Sequence, residues 1–268
     1  MFKKIFSTSL ERQPYRRAAQ IGAFDVMGYD VDKLLEFVPG YDFHDYANEE
    51  FIDIALDKGY LIYEKVKDFP EDSDFRRYDG CILLSQLVAL EKIVELNKVS
   101  ILVEDDAVFK ISYEELKGKL QLLYRLLHEP PEIVMLRYYG ESADCRKRPV
   151  VPGTDGFFVK GAIANNALAN VFSPVGAARI LDYHRQPENQ IYSLECCLQI
   201  PFGDVEGMYS VSAPYDVTSV SPLQGGSVQS LYEVTSAGRT DKYLGFGNSL
   251  ETNAARLRKF GLAKGASQ

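Results

Sequence analysis

The sequence predicts an α/β fold, a mostly parallel sheet flanked by helices, and three observations carry that prediction. An apolar run at 99–103 is preceded by a helical repeat of Leu83, Leu87, Leu90 and Val94, and a second repeat follows at Leu116, Leu120, Leu123 and Leu127. Apolar strands and amphipathic helices keep alternating along the chain, the pattern of a sheet covered on both faces. The composition is that of an ordinary globular protein: 268 residues, 46% hydrophobic and 25% charged, enough for one large core.

Residues 3–9 (KKIFSTS) are rich in β-formers and run into a charged stretch at 11–20, so a first strand and a first helix are expected there. A second strand is expected at 23–28. Helical spacing at 31–38 and 48–56 and a strand-like run at 60–66 follow, inside an acidic and aromatic segment that fits a surface excursion. The leucine-rich helix then feeds strand 99–103 through Asn97 and Lys98. Ser112 with Glu115 resembles a capping box, and Pro130 and Pro131 stop the helix it opens. The next strand is expected at 133–138, a loop at 140–160 and another strand at 167–172. Ser173 and Pro174 supply an N-cap and an N1 proline for a helix reaching about Tyr183. A helix at 188–199, a β-like run at 208–212 and a last helix at 250–260, with Arg256, Arg258 and Lys259, complete the expected elements.

A formal net charge of −8 argues against a nucleic-acid binder, because such binding needs Lys and Arg to neutralise phosphates. A small anionic ligand in a locally basic pocket stays compatible with it. Cys81, Cys145, Cys196 and Cys197 form no CxxC pair, which favours a reducing compartment over a disulfide framework or a zinc site. No stretch approaches the roughly 20 apolar residues of a membrane span, and residues 1–10 are too polar for a signal peptide. A cytoplasmic enzyme, or a chain trimmed from an anchored one, is therefore expected. P-loop, GxGxxG, HExxH and GxSxG motifs are missing, and His44, His128 and His184 read as surface residues.

Chemistry concentrates where the apolar run ends in Glu104, Asp105 and Asp106. Open α/β sheets bind ligands outside the carboxyl ends of their strands. Adjacent carboxylates repel, by about 1 kcal/mol in water and about 4 kcal/mol at an effective dielectric near 20 for charges about 4 Å apart. A divalent cation reverses that sign. Strand alternation would put Glu104 and Asp106 on one side as metal ligands and Asp105 on the other; oxygen donors suit Mn2+ or Mg2+, which would also bridge a diphosphate. The competing reading is an acidic cluster that merely ends a strand in solvent.

Residues 101–108 (ILVEDDAV) closely resemble the strand and acidic motif of glycosyltransferase family 25, the bacterial lipooligosaccharide and collagen galactosyltransferases. The helix from Gly80 resembles the family's Gly-Cys-x-x-Ser-His helix. Residues 5–17, with Leu10, Arg12, Arg16 and Arg17, are similar to its opening strand and arginine turn, and 170–181, with Gly176 and Ala177, to a later strand and helix. Aligning Ser85 with the family serine puts Gln86 where the family has histidine, so that histidine's role is lost or taken over. The segment 41–75 has no match.

The resemblance implies a single Rossmann-like domain of the GT-A type over 1–268. Residues 1–110 would bind the nucleotide, 111–248 would form the acceptor side and 249–268 a C-terminal helix and tail. It implies an inverting transfer from a UDP-sugar to a carbohydrate acceptor, with Glu104 and Asp106 on the metal. Asp105 would contact the ribose or donor sugar, and Ser9, Leu10, Arg12, Asp30 and Ser85 would lie by the nucleotide. Glu195 and Asp204 are the candidates for the general base. Arg12, Arg16 and Arg17 fit a solvated helix face as well as phosphate contact. The alternative is a catalytically weak nucleotide-sugar or glycan-binding protein on the same fold, which Gln86 favours.

Overall fold

A computed structural model describes residues 2–42, 45, 50–60, 74–137, 148–161, 167–186, 207–212, 215 and 217–220. The chain divides into two units, Met1–Val220 and Ser221–Gln268, and every described residue lies in the first. The elements run β1 (Ile5–Ser9), α1 (Pro14–Val26), α2 (Val31–Leu34), β2 (Leu35–Pro39), α3 (Glu50–Asp57), α4 (Asp74–Leu96) and β3 (Ser100–Glu104). They continue with β4 (Ala107–Phe109), α5 (Tyr113–Leu126), β5 (Ile133–Met135), β6 (Phe158–Lys160), β7 (Ala169–Phe172), α6 (Pro174–His184), β8 (Met208–Val211) and β9 (Thr218–Val220).

Seven strands form one sheet in the order β2-β1-β3-β7-β5-β8-β6, and β4 pairs with β9 in a second, smaller sheet. Strands β1, β2, β3, β5 and β8 point one way; β7 and β6 run against them. The expected α/β fold, a mostly parallel sheet flanked by helices, is the one observed. Alternation along each strand feeds two cores. Leu102, Ile133, Met135 and Phe172 join Leu83, Leu87, Leu90 and Ile180 on the α4 and α6 face. Ile101, Val103, Val134 and Val171 join Phe24, Leu116, Leu120 and Leu123 on the α1 and α5 face.

Local signals set several boundaries. The Ser112 hydroxyl accepts from the Glu115 amide at 3.3 Å and opens α5; the Ser173 hydroxyl accepts from the Gly176 amide at 3.0 Å and opens α6. Gly176 is required by contact, since a Cβ there would lie 2.2 Å from the Glu132 carbonyl oxygen.

The N-terminal third differs from expectation. Residues 23–28 are not the second strand: α1 continues to Val26, because its buried residues Arg16, Gln20 and Phe24 recur at the helical interval of four. The second strand is β2, and the helix expected at 31–38 stops after the single turn α2. The loop expected to extend to residue 160 closes in β6, and β4 and β9, three residues each, were too short to show a period. The elements expected at 60–66, 188–199 and 250–260 lie outside the described residues, Tyr60 apart.

Candidate active site at the carboxyl edge of the sheet

Parallel pairing brings three strand ends to one edge. Thr8 lies opposite Glu104 and Ser9 opposite Pro39, so the residues that follow β1, β2 and β3 converge where open α/β sheets hold ligands. Helix α1 starts at this edge with Pro14 at its N-terminus and runs back along the sheet. Its buried face presents Arg16 and Gln20 to the acidic triplet.

Strand β3 ends at Glu104, and Asp105 and Asp106 form the turn into β4. The ladder that enforces alternation stops there, so Glu104 and Asp106 do not share a side. Glu104 faces α4, where its Oε1 accepts from Gln86 Nε2 at 3.2 Å. Both aspartates instead reach Arg16 on α1: Nη1 donates to Asp105 Oδ1 at 2.7 Å, and Nη2 lies 3.8 Å from Asp106 Oδ2. Arg16 is 9% exposed, Asp105 6% and Asp106 8%, so Arg16 does not lie on a solvated helix face. Glu104, half-buried, and the two buried aspartates make the triplet more than a surface cluster.

Burial decides the charge state. It pushes the Asp105 carboxyl up to about 6; the neighbouring Asp106 adds to the rise, while Arg16 and the Ser9 hydroxyl oppose it. Burial likewise raises Asp106, against the pull of Arg16 and Arg137. Its Oδ1 is buried with no hydrogen-bond partner among the described residues. A buried carboxyl oxygen left this way is costly unless a proton or a ligand meets it.

The other expected site residues divide. Ser9 belongs to the site: its hydroxyl helps pull the Asp105 pKa down and accepts from Arg17 Nε at 3.1 Å, and the Arg17 guanidinium stands 5.3 Å from the Phe37 ring centroid. Arg12 forms an ion pair with buried Asp42, just beyond β2, and Leu10 lies against Gly40. Ser85 is buried; its hydroxyl donates to the Cys81 carbonyl one turn back at 2.6 Å and accepts from the Tyr41 amide at 2.8 Å. Asp30 stands elsewhere. It caps α2, accepts from the Lys33 amide and pairs with Lys33 Nζ at 2.5 Å, five residues before β2 begins, at the amino edge of the sheet. It precedes the second strand rather than following it, which removes the reason for grouping it with the nucleotide. Glu195 and Asp204 lie outside the described residues.

Three residues at this edge escaped the sequence reading. Gln20 shares the four-residue spacing of Arg16, Asp42 becomes visible once β2 is placed at Leu35–Pro39, and Arg137 follows the end of β5. His184 also corrects an expectation. It is fully buried, and burial pulls its pKa down to about 4, whereas His128 is exposed. Among the described residues no group of three or more His, Cys, Asp or Glu side chains is placed to hold a metal ion, and no helix is long and apolar enough to cross a membrane.

No protein-family model matches the chain, and no curated protein does. Among solved structures it is similar to the glycosyltransferase GlyE of Streptococcus pneumoniae TIGR4. The two superpose with a TM-score of 0.39 and share 11% sequence identity, over 91% of this chain and 52% of that one. The chain thus spans about half the length of GlyE.

Proposed function

We propose that the chain is an inverting glycosyltransferase that moves a sugar from a UDP-sugar to a glycan hydroxyl with the help of Mn2+ or Mg2+. One observation carries the reading: two buried aspartates leave a central parallel strand side by side, and one of their oxygens has no hydrogen-bond partner among the described residues. A hard cation fits that oxygen. Asp106 would hold it; Glu104 faces α4 and would have to leave Gln86 to join it as second donor. Bound there, the cation would offset the diphosphate charge and the negative charge that builds on departing UDP.

The chain's own groups supply the rest. Ser9, Leu10 and Arg12 would line the nucleotide. Asp105 would accept from a ribose or sugar hydroxyl. Asp42 sits just past the second parallel strand, where doubly wound folds bring an acid to the ribose. Ser85 would act by fixing the Gly40–Tyr41 backbone beside it. The acceptor oxygen would attack the anomeric carbon as the bond to UDP breaks, and its proton would pass to Glu195 or Asp204, the bases implied by the family resemblance.

A second reading, a nucleotide-sugar or glycan-binding protein without transfer, is favoured by Arg16, which already gives both aspartates a cation. Thermal unfolding with UDP separates the two when combined with a turnover screen of UDP-, GDP- and CMP-sugars. The proposal expects stabilisation by UDP with Mn2+, none in chelator, and release of UDP from a UDP-hexose or UDP-pentose. Equal stabilisation in chelator removes the cation from the site, and preferred turnover of a GDP- or CMP-sugar removes the UDP donor. Stabilisation without any turnover selects the binding protein. Asp106→Asn keeps the size but deletes the charge, so turnover should fall roughly a hundredfold or more with folding retained.

A further inference from the structure

Gln20 is fully buried on α1, one helical turn past Arg16, and its amide uses its bonding capacity on the acidic turn and β1. Nε2 donates to the Glu104 carbonyl at 2.8 Å and to the Ala107 carbonyl at 3.3 Å; Oε1 accepts from the Ser7 hydroxyl at 2.7 Å. Two carbonyl acceptors can be faced only by the NH2 end, and the Ser7 proton holds the oxygen end, so the amide has one orientation. The carbonyls it grips flank Asp105 and Asp106. Glu104 and Ala107 stand 84 and 87 positions away in sequence, so nothing local fixes the turn this way.

We propose that Gln20 is a positioning residue that sets where the Asp105–Asp106 turn stands, and with it the site's ability to hold a cation. Arg16 holds the carboxylates and Gln20 holds the backbone between which they hang. The inference rests on the proposed cation site only in its second half; the first half concerns the turn itself.

Gln20→Met tests it, because methionine keeps the length and apolar packing and deletes both donors. Amide hydrogen exchange is measured in chelator, and Mn2+ affinity is measured by titration calorimetry with the metal alone. Ser210→Ala is the control: it removes a buried hydroxyl-to-carbonyl bond of the same kind, 2.7 Å to Gly161, from strand β8 elsewhere in the sheet. Exchange at 105–107 should accelerate about tenfold in Gln20→Met, with Mn2+ binding weakened by about the same factor. Ser210→Ala should leave both within about twofold whatever it does to the melting temperature. Ser7→Ala, a milder change that lets the amide turn over, should fall between wild type and Gln20→Met and serves if the latter fails to fold.

Wild-type exchange at 105–107 in Gln20→Met, or in Ser7→Ala if that alone folds, overturns the inference. So does accelerated exchange with wild-type Mn2+ affinity, since the turn would then not govern the cation. If the wild type itself binds no Mn2+, the cation half falls together with the metal in the proposed function, and the exchange result still decides the turn.

Discussion

Two carboxylate–cation contacts at opposite edges of the sheet look alike by distance and behave differently. At the carboxyl edge Asp105 meets Arg16 at 2.7 Å; at the amino edge Asp30 meets Lys33 at 2.5 Å. The side chains of the first pair are 9% and 10% exposed, those of the second 47% and 81%. In water the Lys33 hydrogen bond lowers the Asp30 pKa, as an added partner should when solvation is kept. In the interior, lost hydration outweighs Arg16 and the Asp105 pKa rises. Both partners pull their carboxylate's pKa down, yet the net shifts have opposite signs, and only the buried pair has the raised carboxyls expected of a functional site. Asp30 is accounted for as a helix cap.

The largest test of this contrast is removal of the cation. Arg16→Met should cost about 3–5 kcal/mol in denaturant unfolding, because it strands two buried carboxylates beside each other. Lys33→Met at the other edge should be nearly silent. Equal small losses would mean that the carboxyl-edge pair is solvated like the other.

A titration sharpens the contrast. Asp105 goes from 3.8 unfolded to about 6 folded, so its contribution is full below 3.8 and is lost as pH rises through 6; the shift corresponds to about 3 kcal/mol. His184 goes from 6.5 to about 4, so its contribution is full above 6.5 and is lost as pH falls through 4, again about 3 kcal/mol. The two oppose each other between pH 4 and 6. Measured in chelator and relative to wild type, Asp105→Asn should gain stability as pH rises across that window, and His184→Gln should lose it. A variant curve parallel to wild type would show that its group is not shifted.

The smallest expected effect is at the amino edge. Asp30→Ala should lower the melting temperature by only a few degrees through the lost cap and leave any UDP-dependent stabilisation unchanged. Loss of that stabilisation would bring the amino edge into the site.

Much of this architecture was legible because its signals are local. The apolar run into Glu104, the hydroxyl caps at Ser112 and Ser173 and the leucine repeats of α4 and α5 each involve residues within a few turns of one another. Asp30 was misplaced for a similar reason: the short apolar stretch at 23–28 fits a strand or the last turn of a helix, and only the packing of Phe24 beside Arg16 and Gln20 chooses the helix. Once the strand moved to Leu35–Pro39, the acid beyond it became Asp42.

By itself, the sequence determined that three carboxylates would leave a central strand at the carboxyl edge, because the order of residues sets where an apolar run stops. Tertiary structure decided which of them would be buried, which way each would face and what cation would meet them. Arg16 comes from 89 positions away and Gln20 from 84. Burial depends on the helices laid over the sheet, and it was burial, not the pairing, that fixed the direction in which Asp105 and Asp106 titrate.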